Sequence, residues 1–381
     1  MLDAFTAHLP VEITFGDGCV SSLAGVLARH GVSRPFIVIE EPVADHSGIA
    51  AALAAAPAGQ RFVKPPGEPT MVMFEDCVEA FSASGTDCII AIGGGSAIDL
   101  SRATRAVVGS GSTCEDVLAG RVEARLPHVP LISVPTTSGT GADLTGAFVI
   151  RTADGRKRAW GHSLLRGQAS LVDPELTLGL PAAPTLHGGV DAMAHCVAAC
   201  MVVNRSPFSI AVACEGLRHI AAGLTAAVRD GSDIDARRQM SLACLFGGLA
   251  INLADCSAEH ALGHGLGGVY GLPHGLAVGL LLAECLETNR PARVYELERI
   301  GEALGEPADA AGDGTRGIRA VRRVLAGAGF PVSSDVGVGD ERMDDLVAIS
   351  LDDYCLTTNP VSWGAAEVED AFRRALAATA R

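Results

Sequence analysis

The sequence predicts an α/β half followed by an all-helical half, with residues 1–180 and 181–381 forming separate domains. Three observations carry this. Short β-branched runs alternate with helical segments as far as DPELTLGLP, the pattern of βα units around a parallel sheet. Beyond that point strand-like runs nearly vanish and apolar residues recur at three- and four-residue intervals. A chain of 381 residues also exceeds what one ordinary core fills and suits two.

Taken in order, VEITFGDGCVSSL reads as a strand, a turn at Gly16 and Gly18 and a helix start, and LAGVLARHG as a helix that Gly31 stops. RPFIVIEE is a short, buried-type strand ending in Glu40 and Glu41. In a dinucleotide-binding domain, an acid at the end of the second strand accepts hydrogen bonds from the adenosine ribose and repels a 2′-phosphate. That favours NAD over NADP. Acids at strand ends also serve as plain solvated caps, and Glu41 is the stronger candidate of the two.

Thr70 to Ser84 reads as a helix and TDCIIAI as a second buried strand, which runs into Gly93, Gly94, Gly95 and Ser96 and then into a helix carrying Asp99. Strand, glycine cluster and helix start form an arrangement that holds a pyrophosphate, because bare N–H groups approach closely and the helix dipole favours negative charge. GGGS by itself is also an ordinary turn; its placement is what points to a cofactor. HVPLISVP delivers a further strand and then Thr136, Thr137, Ser138 and Thr140, whose hydroxyls among glycines suit phosphate, ribose or amide contacts. AFVIRTADGRKRAW predicts a hairpin turning at Asp154-Gly155, and QASLVD a strand. Lys157 in that hairpin joins the cofactor-binding candidates.

In the second half, SPFSIAVACEGLRHIAAGLTAAV, DARRQMSLACLFGGLAINLA, GLAVGLLLAECLETN and ARVYELERIGEAL have helical periodicity. The tail adds a helix, a turn at Asn359-Pro360 and a closing helix.

Asp191 and His195 stand four apart in a helical segment and so project from one face. His260 and His274 are separated by a glycine-rich stretch with a proline, enough for a helix end and a turn to bring them to the same point. One carboxylate and three imidazoles suit Fe²⁺ or Zn²⁺ with room for a substrate oxygen. A lone histidine is more often a packed core residue; the grouping of four argues otherwise. Cys196 and Cys200 lie nearby, yet Cys196 is rotated away from His195 on the helix, and both read as core fillers.

With 48% hydrophobic and 19% charged residues, the chain has more apolar surface than a monomer easily hides, which predicts a homo-oligomer, a dimer or larger. The net charge of −15 argues against nucleic acid or an anionic membrane as partner. The N-terminus lacks a basic region followed by an apolar run, and GLAVGLLLAECL is too short to span a bilayer. Eleven cysteines without a paired rhythm fit free thiols in a reducing cytoplasm.

GGGSAIDLSRA, PTTSGTGAD, DPELTLGLP, the DAMAH helix, HALGHGLGGVYGLPHG and the TNP turn together resemble, in the same order, the motifs of iron-containing (group III) alcohol dehydrogenases, from about Phe15 to the C-terminus. The resemblance implies a Rossmann-like N-terminal domain, a helical C-terminal domain (the dehydroquinate synthase-like architecture) and an active site in the cleft between them. It implies Asp191, His195, His260 and His274 as metal ligands, Gly93 to Ser96 as the pyrophosphate loop, the threonine-rich run as a nucleotide contact, and Glu41 as the acid linked to NAD. Arg102, Asp143, Ala198 and Val361 depart from the family's usual lysine, glutamate, glutamate and basic residue, which bears on substrate and tuning.

The implied reaction is hydride transfer between the nicotinamide and a small aldehyde or ketone, with a divalent cation stabilising the alkoxide charge. His264, one turn beyond His260, is either a proton relay or a packing histidine. Lys157, Arg158, His162 and Arg166 either favour an aldehyde bearing carboxylate, phosphate or phosphonate, or form a solvated turn. The competing readings are an NAD- and metal-dependent lyase or cyclase related to dehydroquinate synthase, and a metal-free nucleotide-binding protein.

Overall fold

The structure, a computed structural model, describes residues 5–9, 11–122, 129–152, 157–308 and 310–377. The chain divides into two compact units: residues 9–137 with 141–178, and the chain from Gly179 onward together with Ser138–Thr140 and the residues before Leu9.

Among the described residues the first unit has eight strands: β1 (Glu12–Phe15), β2 (Pro35–Glu40), β3 (Gln60–Lys64), β4 (Cys88–Gly93), β5 (Leu131–Pro135), β6 (Ala147–Arg151), β7 (Lys157–Gly161) and β8 (Ala169–Val172). Six of them form one sheet in the order β1-β8-β5-β4-β2-β3, parallel throughout. Both faces are covered. Phe36, Val38, Ile89 and Ala91 enter one apolar cluster, while Ile37, Ile39, Ile90 and Ile92 enter the other, so alternate residues of the same strands are buried on opposite sides. That is why these strands read as unbroken apolar runs.

From β2 the chain steps outward to β3 and then returns across β2 to β4, continuing through β5 to β8. The direction of winding therefore reverses between β2 and β4. In open α/β sheets, ligands bind beyond the carboxyl ends of the strands at such a reversal, here next to Glu40 and Gly93.

The helix Met71–Ser84 starts where Thr70 accepts the Met73 N–H at 3.3 Å, a side-chain cap readable in the sequence. The helix Ser47–Ala55 and strand β3 were not foreseen: QRFVK pairs only with β2 at the sheet edge, where an apolar run is not required. β6 and β7 pair antiparallel as the predicted hairpin, whose turn at Asp154-Gly155 lies outside the described residues.

The second unit is helical. Ala182–Met201 is buried without interruption from Gly189 to Met201, as expected of a helix apolar on every side. Pro207–Arg229, Ile234–Leu253, Val294–Ala303 and Thr315–Gly327 pack with it in one core. Ala258–Tyr270, His274–Asn289, Met343–Leu351 and Ala365–Ala377 form a second. Among the described residues no single helix is long and apolar enough to cross a membrane.

Candidate active site

Asp191 and His195 sit on the innermost helix, two hydrophilic side chains in an apolar column, exposed by only 2% and 5%. His260 occupies the first turn of Ala258–Tyr270, and His274 opens the next helix after a turn at Gly271–Pro273. Packing brings all four together. A Cβ on Gly275 would lie 2.0 Å from the His187 carbonyl oxygen, so only glycine lets the helix that begins at His274 approach Ala182–Met201 this closely.

The Nε2 atoms of His195, His260 and His274 lie 3.6, 3.8 and 3.4 Å from Asp191 Oδ1. The His195 and His260 rings stack with centroids 4.9 Å apart. Neither Asp191 Oδ1 nor His260 Nε2 has a hydrogen-bond partner, although both are buried. A buried polar atom without a partner costs on the order of 1–3 kcal/mol or more, and two such atoms facing each other need a shared one. Donors at about 2.1 Å from a tetrahedral cation stand about 3.4 Å apart, close to the spacings seen. The donor set fits a divalent first-row cation.

Electrostatics agree. Burial alone would raise the Asp191 carboxyl; the imidazoles of His195, His274 and His260 hold it well below the usual carboxylate range. Burial pushes His274 down to about 3, the other histidines reinforcing and Asp191 opposing, so this ring presents a free lone pair at neutral pH.

The surrounding groups orient these rings. Glu259, buried beside its neighbour, meets His260 Nδ1 at 3.0 Å and accepts the Ser257 hydroxyl at 2.6 Å. With a proton held on Nδ1, His260 offers Nε2 as a lone pair. Asn359, within the predicted turn, accepts the Ala258 N–H at 3.3 Å and so anchors the start of the same helix. His264 Nδ1 lies 2.7 Å from Asp353 Oδ2, and its ring stacks on His274 at 5.2 Å.

Residues 10–174 match the model of the iron-containing alcohol dehydrogenases, and residues 185–376 that family's C-terminal part. The 4-hydroxybutyrate dehydrogenase of Cupriavidus necator is 32% identical, over 98% of this chain and 99% of its own length. The chain belongs to the iron-containing alcohol dehydrogenases. The NAD-dependent methanol dehydrogenase of Bacillus methanolicus is 28% identical over 92% of this chain and 94% of its own. An alcohol dehydrogenase structure from Oenococcus oeni superposes with a TM-score of 0.91 at 26% identity, covering 98% and 100% of the two chains. The protein is accordingly an oxidoreductase of alcohols, and the lyase or cyclase reading is set aside.

In this iron-containing alcohol dehydrogenase the glycine turn stands at the sheet's reversal. Gly93 ends β4 with φ +148°, and a Cβ there would meet Glu40 Oε2 at 2.7 Å and Ala97 at 2.9 Å. Gly94 caps the helix Gly95–Ser110, of which Ser96 is the second residue. Thr136 donates its N–H to the Gly93 carbonyl at 2.9 Å, and the Thr137 side chain lies against Gly94.

Several of the expected residues stand elsewhere. The acid at the turn is Glu40: its carboxylate accepts the Gly94 N–H at 2.7 Å and the Ser96 hydroxyl at 2.5 Å, and pairs with buried Lys64 at 3.2 Å. Glu41 has already left the strand and is exposed. Asp99 turns from any ligand to the Val149 N–H at 3.1 Å and to Arg102 at 3.6 Å, burial raising it to about 7. Arg102 itself is wholly buried on the carbonyls of Leu165, Ala147 and Ala142, a tie of the scaffold.

Lys157 pairs with Glu68, and His162 accepts the Leu164 N–H through Nδ1 in its own turn at 3.1 Å, so each has a contact within the α/β unit. The threonine-rich loop is divided: Thr136 and Thr137 belong with the glycine turn, whereas Ser138 bonds Ser241 at 3.2 Å and Gly139 donates to the Cys244 thiol at 3.0 Å in the helical unit, to which exposed Thr140 also belongs. Cys196 and Cys200 are buried core residues as expected. Glu259, Asp353 and Cys256, whose sulfur gathers with ring nitrogens of His195 and His260, went unremarked in the sequence. Nothing marked the two acids, but Cys256 precedes His260 by the same four-residue interval that joins Asp191 to His195.

Proposed function

We propose that this enzyme interconverts small aldehydes and their alcohols with NAD(H), holding Fe²⁺ on Asp191, His195, His260 and His274. The observation that carries this reading is the approach of three imidazole nitrogens to one unpartnered, buried carboxylate oxygen. A divalent cation there supplies Lewis-acid stabilisation of alkoxide charge, and the nicotinamide supplies the redox chemistry.

The chain's own groups do the rest. Glu259 keeps the proton on His260 Nδ1 and the lone pair on Nε2. Asp353 fixes His264 through Nδ1, leaving Nε2 to exchange the alcohol proton with solvent. The Gly95 and Ser96 N–H groups at the helix start supply the pyrophosphate, the Gly94 N–H being held by Glu40. Glu40 stands at the end of β2, where a ribose diol is welcome and a 2′-phosphate is repelled, which supports NAD in preference to NADP.

The relative from Cupriavidus necator favours one narrower reading, an aldehyde that carries a carboxylate. All eleven cysteines are free, which supports a reducing, cytoplasmic setting, and the apolar composition supports a homo-oligomer.

A panel of neutral and carboxylated aldehydes, assayed with NADH and NADPH after anaerobic purification and metal analysis, tests the whole. Bound iron and NADH oxidation by at least one aldehyde are expected. Absence of bound iron or zinc, with no gain in activity on adding either, would remove the reading.

A further inference from the structure

The buried donors around Asp191 are not all carboxylate and imidazole. The helices Ile234–Leu253 and Ala258–Tyr270 meet at a bend of 108°, and Cys256 lies in the break between them. Its position is fixed by its backbone: the Cys256 carbonyl accepts the Thr358 hydroxyl at 2.6 Å, and that same hydroxyl lies 3.0 Å from the Cys355 carbonyl. Held there, the sulfur and one ring nitrogen each of His195 and His260 all lie within 4.8 Å of one another. Those two imidazoles also point at Asp191, where Asp191 Oδ1 and His260 Nε2 are buried without partners.

We propose that Cys256 is a fifth protein donor to the divalent cation, binding it as a thiolate alongside Asp191, His195, His260 and His274. This rests on the reading that those four residues hold a cation. With metal–nitrogen bonds of about 2.1 Å and metal–sulfur bonds of about 2.3 Å, a nitrogen and a sulfur that share one ion stand no more than about 4.4 Å apart. The separations of up to 4.8 Å among the Cys256 sulfur and the His195 and His260 nitrogens are of that order. The thiol proton passes to solvent as the bond forms.

Charge supports the assignment. A thiolate would place a second negative charge directly on the ion beside Asp191, with the Glu259 carboxylate one residue further out on His260. A soft fifth donor also biases the site toward thiophilic ions such as zinc, cobalt and iron over manganese or magnesium.

The protein exchanged with one equivalent of Co²⁺ provides the test, since a thiolate bound to cobalt adds intense near-ultraviolet charge-transfer absorption to the weak visible bands of the ion. We expect that absorption in the wild-type protein and in Cys355→Ser, and its loss in Cys256→Ser with the visible bands retained. Zinc affinity by chelator competition should fall at least tenfold in Cys256→Ser, a loss that even an indirect partner of a ligand commonly causes.

Visible bands without the near-ultraviolet absorption in wild type would overturn the fifth donor and leave the four-residue site standing. Retention of the absorption in Cys256→Ser, or its loss in Cys355→Ser, would overturn it equally. Failure of the wild-type protein to take up cobalt would remove both readings. Because the wild-type spectrum decides first, a variant that does not fold cannot rescue the proposal.

Discussion

The two units treat their buried polar groups in opposite ways. In the α/β unit Arg102 is spread over three backbone carbonyls, and Asp143 accepts the Ser170 hydroxyl at 2.6 Å. In the helical unit Asp191 Oδ1 and His260 Nε2, 3.8 Å apart, are left without partners. Unpartnered atoms occur in the α/β unit too, at Ser133 and Arg166 for instance, yet every convergent group of acid, histidine and cysteine donors among the described residues lies in the helical unit. A buried charge with its partners in place is scaffold; several without partners at one point mark a ligand that the protein itself does not supply. On the function proposed above, cation chemistry belongs to the helical unit and nucleotide holding to the α/β unit.

The sharpest way to break that division is His260→Ala. Turnover should fall to background and bound iron or zinc should be lost, while NADH binding, followed by fluorescence, stays within a few-fold of wild type; loss of both would contradict the separation. Gly93→Ala is the reciprocal change. A Cβ at φ +148°, 2.7 Å from Glu40 Oε2, costs about 1–3 kcal/mol of strain and displacement, so NADH affinity should drop about tenfold or more with metal content preserved. Normal NADH binding by this variant would take the glycine turn out of the nucleotide site.

Replacing Glu40 with serine should raise NADPH use relative to NADH by about tenfold, a change of about 1.4 kcal/mol, whereas Glu41→Ser should leave the ratio alone. The reverse pattern would restore Glu41. The smallest effect is expected at Asp353. Burial opposes its charge, but His264 and the N–H of Cys355 hold the carboxyl down at about 2, against about 3.9 in an unfolded chain. A depressed folded value contributes stability above the unfolded one, and that contribution is lost as pH falls from about 4 toward 2. Thermal melts of Asp353→Asn should therefore run a few degrees below wild type near pH 7 and converge with it on acidification; a gap independent of pH would make Asp353 a packing residue.

Much of this was written in the sequence. The β-branched runs that became β2, β4, β5 and β8, the Thr70 cap and the placement of GGGS follow from local propensity and from burial of both sheet faces, which leave their mark within a few residues. The pairing of Asp191 with His195 is equally local, because helical geometry fixes side chains four apart. Strand β3 was illegible for the converse reason: at a sheet edge, hydrogen bonds to a single neighbour define it, and QRFVK bears little trace of them.

Local sequence determined the elements, the glycine turn, and which residue types were on hand to bind a cation or a dinucleotide. Tertiary structure decided which of them meet. Glu40 displaces Glu41 because β2 ends one residue earlier, at a reversal that strand order alone creates. Asp353 meets His264 only when segments 89 residues apart close on one point, and Cys256 gathers with His195 only through such packing. A carboxylate's partners are set by distances through space, and a linear chain records those only where the partners also lie within a turn of one another.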